Sequence, residues 1–183
     1  MYMGKRFLLI LLSLFMFTGV AFAYGNPRWF KMPVSVYSPD NDAIVLNAFK
    51  SWQTASGGCV RFVFRSSANL QSRSNITVTY TDSLPDGAAY SVTRNYTIFG
   101  NTDYYVKNGY FYKTQITIAK NGGEENKPFS KSELRAIALR AVGEAIGVKP
   151  LNSSNSVMSA ETDYSQTSLS ANDVRAVNKL YRP

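Results

Sequence analysis

The sequence has no histidine and only one cysteine, and these two absences limit the chemistry open to it. Without histidine the chain cannot form a Ser/His or Cys/His pair, so an enzyme would need paired carboxylates or a Ser/Lys set. The single cysteine, Cys59, cannot form an internal disulfide, so the fold must rest on its core. Its apolar or small neighbours, Gly58, Val60 and Phe62, predict a buried structural thiol.

Long apolar runs are also scarce, and the one that stands out lies at the N-terminus. Lys5 and Arg6 precede an apolar run over residues 7–20, and Ala21 and Ala23 then place small residues at a cleavage site. The run is shorter than the roughly 20 residues that cross a bilayer. We therefore predict a secretory signal over residues 1–23 and one exported domain over residues 24–183, secreted or periplasmic, with no membrane segment after cleavage.

The sequence also lacks a cluster of positive charge. The whole chain carries a net charge of +8, which becomes +6 without Lys5 and Arg6. The remaining Lys and Arg residues are scattered, whereas a nucleic-acid binder usually gathers them on one element. We expect no nucleic-acid partner, although a basic surface leaves anionic cell-surface polymers open as ligands.

The patterning predicts three helices and several strands. Residues 42–55 have helical spacing, Ser130 and Glu133 form a capping box ahead of an apolar stripe that Gly147 ends, and a third helix begins at Ser170. Strands are predicted at residues 28–38, 59–64, 75–81, 88–99 and 110–119. The Asn108-Gly109 pair favours a tight hairpin. The order of elements predicts an α+β fold, a twisted mixed sheet of about five strands packed with two helices plus a C-terminal helix.

Four segments resemble the catalytic domain of the metzincin zinc proteases, and among these the matrixins. Residues 28–37 resemble the family's first strand, and residues 48–62 its first helix running into the second strand. Residues 142–148 resemble the latter part of its zinc helix, and residues 156–158, with Met158, resemble its methionine turn. Residues 169–181 resemble the closing helix. The resemblance spans nearly the whole mature chain and implies a zincin-like fold.

The resemblance also shows that the family's zinc motif, H-E-x-x-H-x-x-G-x-x-H, is lost. Aligned on the turn glycine, Gly147, the first histidine position holds Arg140 and the glutamate position holds Ala141. Glu144 and Pro150 stand at the second and third histidine positions. Zinc needs at least three well-placed protein ligands, so we expect no metal, no cofactor and no catalytic residues.

Arg140 and Glu144 are four residues apart, so their side chains can meet on one helix face. One hypothesis is that this ion pair fills the empty metal position, and the alternative is an ordinary surface pair. In either case Met158 becomes hydrophobic packing, and Ala141 extends the apolar stripe.

The tyrosines of the middle strands allow two interpretations. Aromatic side chains of mixed polarity suit a surface that recognises peptide or sugar, and a half-buried antiparallel sheet also favours them. These residues are Tyr90, Tyr96, Tyr104, Tyr105, Tyr110 and Tyr112. In the resembling family the edge strand before the zinc helix pairs with an extended substrate. The corresponding edge here is expected at Asn75, Thr77, Thr79, Thr81, Gly87 and Ala89.

Three functions remain open from the sequence. The first is a secreted pseudoprotease that binds a peptide or protein partner without cutting it. The second is an enzyme of another kind or with an atypical metal site, although Asp82 and Asp86 flank a turn-like segment and are interpreted as turn formers. The third is an envelope-associated protein that binds anionic polymer.

Overall fold

The sheet and helices are known from a computed structural model that describes residues 25–39, 42–99, 108–123, 125–161 and 164–182. The expected signal at residues 1–23, together with Tyr104 and Tyr105, lies outside these residues. The described part has an α+β fold with a mostly parallel six-stranded sheet and three helices. Within it, no helix is both long enough and apolar enough to cross a membrane.

The sheet contains β1 (Gly25–Trp29), β2 (Val34–Tyr37), β3 (Phe62–Arg65), β4 (Ile76–Thr81), β5 (Tyr90–Phe99) and β6 (Asn108–Ala119). Its order is β1-β6-β4-β2-β3, and β5 pairs with β6. The β5–β6 pair is antiparallel, and the other pairs of this sheet are parallel. Two short strands, β7 (Asn121–Gly122) and β8 (Lys127–Pro128), form a separate ribbon.

Three helices follow the predicted patterns closely: α1 (Ala43–Ala55), α2 (Lys131–Ala145) and α3 (Ala171–Tyr181). The Asp42 side chain caps α1 by accepting from the Ile44 N–H at 2.7 Å. Both later helices begin with a full capping box, formed by Ser130 with Glu133 and by Ser170 with Asp173. The local signals in the sequence therefore place the helix starts correctly.

The core lies between one face of the sheet and helices α1 and α2. Alternate residues of β4 and β6, such as Ile76, Val78, Ile116 and Ile118, are buried against the helices. Trp52 of α1 is fully buried and donates its indole N–H to the Leu139 carbonyl of α2 at 2.8 Å. This contact fixes α2 against α1, and α2 carries the residues of the candidate site.

Two expectations about the sheet are wrong. Asn108 and Gly109 do not form a tight turn, because they pair within the ladder with Phe99 and Ile98 of β5. The expected peptide-binding edge at Asn75, Thr77, Thr79 and Thr81 is also wrong. These residues form or adjoin β4, which lies inside the sheet between β2 and β6. Among the described residues β5 is an edge strand, as are β1 and β3, and alternation of residue types along β4 cannot reveal this.

Candidate functional site

Arg140 is the centre of the candidate site, and it is buried with only 6% of its surface exposed. Its Nε donates to the Tyr90 hydroxyl at 2.9 Å. Its Nη1 donates to the carbonyl oxygens of Val157 at 3.1 Å and Ser159 at 2.6 Å. One guanidinium therefore joins α2 to β5 and to residues 156–159, which we call the methionine turn.

Glu144 completes this cluster from one turn further along α2. Its carboxylate accepts a hydrogen bond from the Tyr90 hydroxyl, and its Oε1 lies 3.9 Å from Arg140 Nε. The two charged side chains are 7% and 22% exposed, so the pair is not an ordinary surface ion pair. We call Tyr90, Arg140 and Glu144 the Arg140 cluster.

Tyr90 acts in the Arg140 cluster as a neutral hydroxyl. Burial, and then the hydrogen bond to Glu144 and the charge of that carboxylate, raise its pKa above the ordinary value of 10.0, while Arg140 opposes this change. The hydroxyl can therefore accept from Arg140 and donate to Glu144 at the same time. The sequence offered Tyr90 only as one of several strand tyrosines and did not indicate this role.

The methionine turn packs against α2. Met158 is fully buried, and a Cβ added at Gly143 would come within 2.5 Å of its sulfur and 2.7 Å of a Trp52 ring carbon. Glycine at this position lets the turn approach the helix. Ala141 is also fully buried and, as expected, extends the apolar face of α2.

Asp173 of α3 also binds the methionine turn. The sequence indicated Asp173 only as a helix-capping residue. The side chain is fully buried, and its carboxylate accepts from the backbone N–H groups of Val157 at 3.2 Å and Met158 at 3.3 Å. It also accepts from the Ser170 N–H at 2.8 Å at the start of α3. The methionine turn is thus held between Arg140 and Asp173.

The residues at the four positions that the resemblance aligns with a zinc motif do not fit a zinc ion. A guanidinium stands at the first position, and the Glu144 carboxylate at the third is already used by Tyr90 and Arg140. Pro150 is exposed and offers no side-chain donor atom. Across the described ranges, no group of three His, Cys, Asp or Glu side chains is placed to hold a metal ion.

Gly147 turns the chain directly after α2. Its φ of +93° is in the left-handed region, and an added Cβ would lie 2.3 Å from the Pro27 carbonyl oxygen. The last carbonyls of α2 accept from side chains of other elements: Glu144 from Arg94 at 3.0 Å and Ala145 from Trp29 at 3.0 Å. The C-terminal end of α2 is therefore fixed in place.

Two hollows of very different size flank the Arg140 cluster. One lies beside the methionine turn, between Arg140 and Tyr164, and its free volume of about 10 Å³ has room for roughly one water. The other is an open groove of about 670 Å³ between residues 92–94 of β5 and residues 147–150. We call it the β5 groove, and Phe111 and Glu144 also line it. Only the second hollow has the volume of a ligand site.

β5 borders this groove as an edge strand. It pairs with β6 on one side, and within the described ranges no strand pairs with its other side. The Ala89 carbonyl accepts from the Ala119 N–H at 2.9 Å, so by alternation Ser91 and Thr93 also direct their backbone groups to β6. The backbone groups of Val92 and Arg94 consequently point away from β6, toward the unpaired side of β5.

The residues expected at the edge lie elsewhere. Thr77 and Thr79 line a polar hollow of about 440 Å³ on the sheet face opposite the helices, and the Asn75 side chain bonds to Ser35 and Tyr112. Thr81 bonds to the Ser83 carbonyl. Gly87 has a positive φ and accepts from the Gly123 N–H, and Ala89 is buried. Of this set, only Gly87 and Ala89 lead into the observed edge strand.

The other residues considered from the sequence have local contacts that account for them without a binding or catalytic role. Cys59 is half-buried rather than fully buried as expected, and the Arg182 side chain donates to its Sγ at 3.0 Å. Asp86 has a φ of 56° in a short turn, and Asp82 forms an exposed ion pair with Lys120. Tyr112 is exposed, and the Tyr110 ring packs against the Phe30 ring at a tilt of 54°. The structure does not describe the side chain of Tyr96.

A scan against protein-family models finds no match to this chain, and a search of curated proteins also finds none.

Proposed function

We propose that this chain is a secreted pseudoprotease, a matrixin-like protein that binds an extended peptide segment along β5 without cutting it. The observation that supports the proposal is an antiparallel edge strand that borders an open groove, which Glu144 of the Arg140 cluster helps to line. An extended peptide can add a strand to such an edge through main-chain hydrogen bonds. The Val92 and Arg94 backbone groups are the ones available for this pairing.

The expectation that a bound peptide is not cut rests on the donor set. Zinc proteases need three protein ligands and a fourth position for water, whereas here a guanidinium and an engaged carboxylate occupy the corresponding positions. Arg140 brings a positive charge to the place where a cation would be held. Peptide bound in the β5 groove would therefore meet no activated water.

The experiment selects peptides from a displayed random library on the purified mature protein. The expected result is a set of peptides that bind, stay intact by mass spectrometry with zinc added, and slow amide hydrogen exchange at Val92 and Arg94. The amides of Ser91 and Thr93 are an internal control, because they already face β6 and should change little. Failure to enrich any peptide, or protection confined to other strands, would contradict the proposal.

A backbone variant isolates strand addition from side-chain contacts. Val92→Pro removes an outward N–H without removing a bond to β6, and edge strands tolerate proline at such positions. We expect it to abolish binding of the selected peptides while circular dichroism stays native. Val92→Thr, which keeps the N–H and a β-branched side chain, is the matched control and should retain binding.

A further inference from the structure

The β5 groove carries an excess of positive charge. Arg94 and Lys149 line it and are both exposed, and within the described ranges neither has a carboxylate at ion-pair distance. Among the described residues that line the groove, Glu144 alone carries a carboxylate, and this already contacts Tyr90 and Arg140. A bound segment would therefore meet two cations whose charge the groove does not offset.

Arg94 is held in position rather than left free in solvent. Its Nη1 donates to the Glu144 main-chain carbonyl at 3.0 Å, and its guanidinium carbon lies 5.9 Å from the centre of the Phe111 ring. The carbonyl is one of the last of α2, where the helix dipole favours a cation. A fixed guanidinium beside an apolar ring offers a carboxylate a defined partner at low entropic cost.

We infer that the β5 groove selects extended peptides that carry an acidic side chain two residues from an apolar one. The inference rests on the proposed function and names the class of peptide that it takes. Side chains of a strand alternate between its two faces, so every second residue of a peptide paired with β5 faces the groove. The acidic side chain would lie against Arg94 and Lys149, and the apolar one against Val92 and Phe111.

The test uses three synthetic strand-forming octapeptides, identical except for Glu, Gln or Lys at one groove-facing position, with Val two residues away. Binding is measured by fluorescence anisotropy with an uncharged fluorophore. We expect the Glu peptide to bind about fivefold more tightly than the Gln peptide, as a partly exposed ion pair allows, and the Lys peptide to bind most weakly. Added salt should narrow the difference between the Glu and Gln peptides.

Two groove variants locate the effect. Arg94→Gln and Lys149→Gln should each narrow the ratio between the affinities for the Glu and Gln peptides, whatever either change does to the affinity for the Gln peptide. Lys50→Gln, which removes the same charge from an exposed position on α1, is the control and should leave the preference for Glu intact.

The outcomes separate the inference from the function on which it rests. If all three peptides bind equally and protect the Val92 amide, the acidic preference is refuted while strand addition stands. If the preference for Glu survives in both groove variants, the assignment to Arg94 and Lys149 is wrong. If none of the octapeptides binds while the library-selected peptides do, the acidic–apolar pattern is refuted. If neither the octapeptides nor any library peptide binds, both this inference and the proposed function are refuted.

Discussion

Replacing Arg140 and Glu144 by alanine, singly and together, tests whether the Arg140 cluster acts as one unit. The Arg140→Ala change removes the donor to the buried carbonyls of Val157 and Ser159 and the cation beside Glu144. The Glu144→Ala change leaves the guanidinium with its two carbonyl acceptors and the Tyr90 hydroxyl. The first change should therefore cost more stability than the second.

The magnitudes follow from burial and distance. A buried carbonyl left without a donor costs about 1–3 kcal/mol. The ion pair at 3.9 Å is worth about 4 kcal/mol of attraction at an effective dielectric constant near 20, before the 22% exposure of Glu144 lets water reduce it. We expect a loss in unfolding free energy of about 3–5 kcal/mol for Arg140→Ala and about 1–3 kcal/mol for Glu144→Ala.

The assay is urea unfolding of the mature protein, monitored by tryptophan fluorescence. Trp52 and Trp29 are buried in the folded state, so their emission changes on unfolding. The double variant should lose about 1–2 kcal/mol less than the two single losses added together, because either change alone already breaks the pair. Arg135→Ala is the control, since Arg135 is an exposed residue of the same helix and should change stability by about 0.5 kcal/mol or less. Additive losses within about 0.5 kcal/mol would refute the cluster as a coupled unit.

Two further predictions concern groups around the cluster. Asp173→Ala should cost about 3–5 kcal/mol in urea unfolding, because it removes the acceptor of the buried Val157 N–H and Ser156 hydroxyl and one of the two acceptors of the Met158 N–H. Asp82→Ala, at an 86% exposed side chain, should cost little, and equal losses would contradict this. The raised folded-state pKa of Tyr90 means that its contribution to stability is present below the unfolded pKa of 10.0 and is lost as the pH rises above it. Tyr90→Phe should therefore flatten the fall in unfolding free energy between about pH 9 and 11, and an unchanged slope would contradict this assignment.

The sequence predicted the helices well because their signals are local. Capping boxes and apolar residues at helical spacing lie within one segment, and the predicted start at Ser130 and stop at Gly147 agree with the structure. The pair of Arg140 and Glu144 was also predictable, because residues four apart on a helix are neighbours. Both inferences need no knowledge of the rest of the fold.

The edge strand and the rest of the cluster were not predictable in this way. Alternating residues show that one face of a strand is buried, but they do not show which strands lie on either side, so β4 was mistaken for the edge. The Asn108-Gly109 signal failed because the β5–β6 ladder continues through both residues. Tyr90 is 50 residues from Arg140 in the chain, and no local pattern connects the two.

The geometry of Arg140 bears on how the proposed binding would depend on metal. A zinc ion joins segments of a chain through directed bonds to several ligands, and its removal releases them. Here the guanidinium joins α2, β5 and the methionine turn through hydrogen bonds that belong to the chain itself. The β5 groove then keeps its shape without a bound ion, so peptide binding should withstand a chelator such as EDTA. Loss of binding on chelation, restored by added zinc, would contradict this account of the groove.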